Sequence, residues 1–193
     1  MVNLCNYAIN NPCPWQVNSP MYNPNNEYYN CPCYAYMCSS FCNQFPYHNI
    51  PACPPINLKD YGPNPFVVNI EEATKQNNFF RIALWTGKYL QLTLMSINVG
   101  GDIGLENHPD LDQFIRIEQG QGLVKMGDRK DRLDFQANVR DDYAIIIPAG
   151  KWHNLINTGN KPLKLYSIYA PPQHPYGTVH KTKEDAEEHH HRR

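Results

Sequence analysis

Short runs in which apolar and polar residues alternate fill the chain from about residue 64 onward. In the clearest of them, Leu90, Leu92 and Leu94 alternate with Gln91 and Thr93, which is the period of a strand with one buried face. Similar runs predict five further strands, at 113–118, 122–126, 142–147, 153–157 and 163–169. Glycine-containing turns separate the runs, and many short strands at this spacing indicate an all-β sandwich or barrel.

Two short helices accompany the predicted strands. The first is expected at Ile70–Asn78, where Glu71 and Glu72 place negative charge in the first turn. The second is expected to begin at Thr182 as its cap and to run through Glu188. Neither helix is long enough to change the all-β assignment.

The distribution of charged residues and cysteines marks a boundary at Lys59. Of the 17 Lys and Arg and 18 Asp and Glu residues, only Glu27 precedes it, whereas all seven cysteines do. Residues 1–58 are also rich in Asn, Pro and Tyr, so we expect irregular chain there. We therefore divide the chain into a Cys-rich leader (1–58), a barrel (59–172) and a polar carboxyl-terminal tail with a short helix (173–193).

The seven cysteines of the leader admit several interpretations. A disulfide framework is typical of secreted domains, but the count is odd. A zinc site would use Cys31-x-Cys33 with Cys38-x3-Cys42, although the paired Cys-x2-Cys spacing of well-defined zinc modules is missing. A third interpretation is disulfide cross-linking between molecules, because the composition of the leader resembles that of bacterial spore-coat proteins. The fourth is an unstructured tail whose cysteines stay reduced.

Charge and hydropathy exclude several classes of partner. The net charge of −1 gives no basic surface for nucleic acid, and no apolar run approaches the roughly 20 residues of a membrane-spanning helix. The first twenty residues contain neither Lys nor Arg nor a continuous apolar stretch, so we expect no secretory signal. These features predict a cytoplasmic protein, with the spore coat as the alternative location.

Two stretches of the barrel carry a spaced motif. The first has Gly100, Glu106, His108 and Gln113 at fixed intervals and ends at Gly120. The second, residues 148–157, contains a Pro, a Gly, a His and an Asn, likewise at fixed intervals. Together they resemble the paired motifs of the cupin superfamily, G-x5-H-x-H-x4-E-x6-G and G-x5-P-x-G-x2-H-x3-N.

All the spacings of that pattern are met, and three identities depart from it. Glu106 stands where the first His is usual, Gln113 where the Glu is usual, and Asp142 where the second motif opens with Gly. The resemblance implies a double-stranded β-helix, the jelly-roll barrel of cupins, over roughly 64–172.

A metal site is predicted inside this barrel. Residues two apart on a strand share a face, so Glu106 and His108 can both point inward, where Gln113 and His153 can meet them from neighbouring strands. Two imidazoles, one carboxylate and one amide oxygen suit a divalent metal ion. We expect zinc, with manganese, nickel or iron as alternatives, and a metal-free site as the remaining interpretation.

The predicted ligand set is similar to that of type I phosphomannose isomerase, a cupin that uses two His, one Glu and one Gln around zinc, with Glu and Gln exchanged. The resemblance implies an isomerase-like site for a sugar or sugar phosphate. A metal-dependent dioxygenase is the enzymatic alternative, and a non-enzymatic cupin anchored by its leader in a cross-linked assembly is the other. Lys151 is the candidate for binding an anionic group, whereas strand parity places Arg116 on the opposite face. Since cupins generally pair their sheets, a homodimer is expected.

Overall fold

The computed structural model describes residues 55–191, and most of the predicted leader, including all seven cysteines and the interpretations placed on them, lies outside this part. The described chain contains α1 (Ile70–Gln76), β1 (Arg81–Thr86), β2 (Gln91–Ile97), β3 (Glu106–Asn107), β4 (Asp112–Gln119), β5 (Gln121–Gly127), β6 (Phe135–Arg140), β7 (Ala144–Ile147), β8 (Trp152–Asn157), β9 (Leu163–Ala170), β10 (Val179–His180) and α2 (Lys183–His191).

The strands form two antiparallel sheets. One has six strands in the order β10-β1-β2-β9-β4-β7, and the other has four in the order β3-β8-β5-β6. Strands β4 and β9 are neighbours although 43 residues of chain lie between Gln119 and Leu163, and such non-sequential pairing is typical of a jelly roll. The predicted double-stranded β-helix is confirmed.

The core of the barrel consists of the inward residues of both sheets. Strand β4 shows how the sequence produces it: Gln113, Ile115 and Ile117 are buried, whereas Phe114 and Arg116 between them are partly exposed. The buried cluster also includes Met95, Ile97, Val124, Val139, Ile145, Ile147, Leu155, Leu163 and Leu165. Alternation along the strands therefore directs one face of each sheet to the core.

A second apolar cluster lies around Ala73 of α1. It contains Ile82, Leu84 and Leu94 with partly buried neighbours that include Leu58. The helix begins where Asn69 accepts the N–H of Glu72 at 3.2 Å, as a polar cap should, and it ends at Gln76, two residues before the predicted end. Neither helix of the described residues has the length and apolar character that crossing a membrane requires.

The chain beyond residue 172, expected to be a polar tail, also contributes to the barrel. Strand β10 pairs with β1 through Arg81 and His180, and Ala186 of α2 is 4% exposed in the core. The expected helix is present but extends from Lys183 to His191. This contribution left little trace in the sequence because β10 has two residues and, over residues 183–188 of α2, one small apolar side chain is buried.

Candidate metal centre

Three of the four predicted ligands lie on, or directly after, the paired strands β3 and β8. Glu106 lies on β3 directly opposite His153 of β8, and His108 follows β3. The N–H of Gly150 donates to the carbonyl oxygen of His108 at 2.8 Å, which ties the two motif segments together. Gly150 has a φ of 78°, a backbone conformation that glycine adopts at little cost. The spacing of the second motif thus serves to place His153 beside the first motif.

The side chains of these three residues converge. Glu106 Oε2 lies 3.5 Å from His108 Nε2 and 3.9 Å from His153 Nε2, and the three ligand atoms all lie within 4.8 Å of one another. All three atoms are buried, and none has a hydrogen-bond partner among the described residues. Buried polar atoms normally have partners, and a single cation bound by one carboxylate and two imidazoles would satisfy all three.

The orientation of His153 favours this use. Its Nδ1 lies 2.9 Å from the carbonyl oxygen of Lys151, so Nδ1–H donates and Nε2 keeps its lone pair for the centre. Burial lowers the pKa of His153, against the opposing effects of the Lys151 carbonyl and the Glu106 carboxylate. The imidazole is therefore neutral at pH 7, which is the form that binds metals.

Arg81 fixes the carboxylate of Glu106. The arginine is 1% exposed, and its Nη2 donates to Glu106 Oε1 at 3.2 Å, which leaves Oε2 facing the two imidazoles. Burial would raise the pKa of Glu106, but Arg81 and the neighbouring imidazoles outweigh it and lower the pKa to about 2. The carboxylate is therefore charged and presents one oxygen to the centre. Sequence reasoning missed this residue, although an arginine between Phe80 and Ile82 is a signal of a buried charge.

Gln113 is buried on β4, and its amide nitrogen donates to Ser167 Oγ at 2.9 Å. Because the nitrogen is used by the hydroxyl, the amide oxygen remains for another partner, and Oε1 has none among the described residues. Amide oxygens are weaker metal ligands than carboxylates but are chemically suitable. Its role as the fourth ligand stays a prediction.

A cavity of about 550 Å³ opens onto Arg81, Glu106 and His108. Its other walls come from the segment before β3, from the rim of β8, and from residues after the barrel. These walls are formed by Phe80, Ile103, Gly104, Leu105, Asn107, Trp152, Gln173, Lys183, Ala186 and Glu187. A small molecule in the cavity can therefore approach Glu106 and His108, whereas His153 lies behind them and does not line the cavity.

The two cations considered from the sequence lie elsewhere. Lys151 forms an ion pair with Asp128 and does not line this cavity. Arg116 lies between Glu118 and Asp142, at 3.1 and 2.8 Å, and its 40% exposed side chain likewise does not line the cavity. The cations that do line it are Arg81 and Lys183.

Comparison with known proteins identifies the family. Residues 93–169 match the family model described as Cupin domain. The chain is 74% identical over 129 residues to YrkC of Bacillus subtilis (strain 168), and the alignment covers 67% of this chain and 69% of YrkC. The chain belongs to the cupin superfamily.

Two further proteins are similar to this cupin. The protein L612 of Acanthamoeba polyphaga mimivirus is 43% identical over 115 residues, which cover 59% of this chain and 70% of L612. The crystal structure of BH2720 from Bacillus halodurans is 69% identical, with a TM-score of 0.68, and the similarity covers 68% of this chain and 99% of BH2720.

A series of rings extends from the centre of this cupin toward β10. The ring centroids of His108 and Tyr169 are 5.8 Å apart, and those of Tyr169 and His174 are 5.1 Å apart, both edge to face. The backbone of His174 exchanges two hydrogen bonds with the side chain of Gln91, at 2.8 and 2.9 Å. Burial lowers the pKa of His174 to about 2, with a further contribution from Arg81. The imidazole is therefore a fixed neutral group, and its distance in sequence from both motifs explains why sequence reasoning missed it.

Proposed function

We propose that this cupin is a metal-dependent enzyme that acts on a small hydroxylated compound of the sugar or sugar-phosphate class, with an isomerase-like site. The observation that carries the proposal is the convergence of three buried ligand atoms, from Glu106, His108 and His153, which have no hydrogen-bond partner in the described part of the chain. Two of these residues, Glu106 and His108, line the cavity. Gln113 is proposed as the fourth ligand. The proposed ion is a divalent metal, zinc first, with manganese, nickel and iron as alternatives.

The residues present fit this chemistry. A bound divalent ion would polarise a carbonyl or hydroxyl oxygen of the substrate. Arg81 keeps one oxygen of Glu106 away from the centre, and the Lys151 carbonyl holds His153 in the required tautomer. Both interactions act before substrate arrives, so the ligand atoms need little rearrangement when they bind an ion.

One observation favours a second candidate, a metal-dependent dioxygenase. Two histidines and one carboxylate with open positions are the ligand set of non-haem iron(II) oxygenases, and Glu106, His108 and His153 form such a set. If Gln113 does not bind the ion, the dioxygenase is favoured over the isomerase.

Metal analysis tests the centre itself. Purified protein, incubated in turn with zinc, manganese, nickel and iron(II) and then desalted, should retain about one ion per chain by elemental analysis. The variant His108→Ala/His153→Ala should retain none. His174→Gln, which alters a buried histidine outside the three converging residues, is the matched control and should retain the ion. A wild-type protein that binds none of the four metals would contradict the proposed function.

Activity assays separate the two candidates. The metal-loaded protein is offered a panel of aldoses, ketoses and their phosphates, and isomerisation is followed by chromatography. The iron(II)-loaded protein is offered the same compounds in an oxygen electrode. Interconversion without oxygen uptake supports the isomerase, oxygen uptake supports the dioxygenase, and absence of both in a protein that holds metal leaves a binding role and excludes both enzymes for the compounds tested.

A further inference from the structure

One wall of the cavity comes from the chain after the barrel strands. Gln173, Lys183, Ala186 and Glu187 line it, and the last three belong to α2. The helix is anchored there because Ala186 is buried in the core. Residues on this wall therefore face whatever occupies the cavity.

Each cation of the cavity lining is already paired with a carboxylate. Lys183 Nζ donates to Asp102 Oδ1 at 2.8 Å and lies 3.9 Å from Glu187 Oε1. Arg81 is paired with Glu106. Asp102 also accepts the N–H of Gly104 at 2.6 Å, so this partner of Lys183 is held in place from two sides.

The amino terminus of α2 does not supply an anion site either. Thr182 Oγ1 accepts the N–H of Asp185 at 3.3 Å, and Asp185 Oδ2 accepts the N–H groups of Lys181 and Thr182 at 2.9 and 3.0 Å. The first turn also carries Glu184. Two acidic side chains thus occupy the positions at which a helix terminus would attract a phosphate.

A phosphate or carboxylate of the bound compound would be disfavoured at this wall. It would have to separate Lys183 from Asp102 and would approach the carboxylate of Glu187, and like charges at an interface are costly. Hydroxyl groups meet neither obstacle, because a hydroxyl donates to a carboxylate and accepts from an ammonium group. Paired charges of this kind are therefore complementary to a neutral polyol.

We propose that the compound bound at this cupin's metal centre presents uncharged hydroxyl groups to Lys183 and Glu187, and that a neutral sugar or polyol is preferred over its phosphorylated counterpart. This inference rests on the proposed function and narrows its substrate class. It assigns Lys183, Glu187 and Asp102 to specificity, whereas the metal ligands are unaffected.

Calorimetric titration of the zinc-loaded protein tests the proposal, with mannose, fructose and ribose compared with their terminal phosphates. The neutral sugars should bind about tenfold more tightly than the phosphates. Asp102→Asn and Glu187→Gln each remove a carboxylate beside Lys183, and each should shift the preference toward the phosphates by about tenfold. Glu184→Gln, the same change of charge on α2 away from the cavity lining, is the control and should leave the preference unchanged.

Three other results would overturn the inference in different ways. Tighter binding of phosphates by the wild type refutes the preference for neutral compounds but keeps the sugar class. Unchanged preference in both Asp102→Asn and Glu187→Gln refutes the role assigned to the paired charges. Binding of neither class by a protein that holds zinc refutes the inference together with the sugar class, while metal retention shows that the centre itself is intact.

Discussion

Replacement of Arg81 tests whether this residue organises the centre. In Arg81→Gln the carboxylate of Glu106, whose side chain is 15% exposed, loses its charged partner. Removal of one partner of a buried ion pair costs about 3–5 kcal/mol. The site gives a magnitude of the same order: burial raises the pKa of Glu106, Arg81 and the two imidazoles lower it, and the net pKa of about 2 in place of the ordinary 4.5 corresponds to about 3 kcal/mol. We expect the free energy of unfolding of metal-free Arg81→Gln to be about 3 kcal/mol lower than that of the metal-free wild type at pH 7.

The same variant should bind metal more weakly. Without Arg81, the carboxylate group of Glu106 is free to rotate. Loss of such an orienting partner typically lowers metal affinity about 10–100-fold. Zinc affinity is measured by competition with a chromophoric chelator, and stability by urea unfolding of the metal-free protein. Arg140→Gln, which changes an exposed arginine of β6, is the control and should alter neither quantity.

A double variant separates the two effects of Arg81. Arg81→Gln/Glu106→Gln has no unpaired charge, so it should be more stable than Arg81→Gln alone, while its zinc affinity stays low because the carboxylate ligand is gone. If Arg81→Gln binds zinc as tightly as the wild type, Arg81 does not orient Glu106. If the double variant is no more stable than Arg81→Gln, the loss of stability arises from packing and not from the unpaired carboxylate.

Three further predictions concern the rest of the barrel. Gln113→Leu should weaken zinc binding about tenfold in the chelator assay; unchanged affinity would limit Gln113 to its bond with Ser167. The pKa of His174 is lowered from 6.5 to about 2, so between these values the unfolded chain binds a proton that the folded chain does not. The free energy of unfolding should therefore fall by up to about 1.4 kcal/mol per pH unit below pH 6.5. Urea midpoints measured at pH 7, 6, 5 and 4 should fall less steeply in His174→Gln than in the wild type. Equal slopes in the two proteins would contradict the buried neutral imidazole. Gly120 has a φ of 98°, and an added Cβ would lie 3.1 Å from the backbone of Leu163, so Gly120→Ala should lower the unfolding free energy by about 2 kcal/mol; an unchanged urea midpoint would refute this.

Alternation of apolar and polar residues predicted six strands, and β2, β4, β5, β7, β8 and β9 were found near the predicted positions. In β4 burial alternates as expected. In β2 it does not, because Gln91 and Thr93 are fully buried whereas Leu90 is 38% exposed. β1 was missed because its residues 82–85 form a continuous apolar run, so its sequence lacks a period of two. β3 and β10 have two residues each, and β6 is mostly exposed, so none of them carries a recognisable pattern. Strands whose sequence does not alternate between apolar and polar residues are therefore missed by this reasoning.

The spaced motifs located the centre because both of its segments are short. Glu106 and His108 are two residues apart, and the turn before His153 is marked by Pro148 and Gly150. Arg81 and the α2 residues could not be found in this way, because only the pairing of β1 with β10 and the burial of Ala186 bring them to the cavity. Contacts between residues distant along the chain depend on the whole fold and have no local signal.

The neighbours of each position explain why Glu106 replaces the usual first His of the cupin pattern and Gln113 replaces the usual Glu. Glu106 lies beside the guanidinium of Arg81, which compensates a buried carboxylate. Gln113 lies beside the hydroxyl of Ser167, a neutral partner that satisfies an amide. A carboxylate at 113 would lack such a cation, and an amide at 106 would leave Arg81 buried without a counter-charge. The arginine of β1 therefore explains why the single negative charge of the predicted ligand set lies on β3 in this chain.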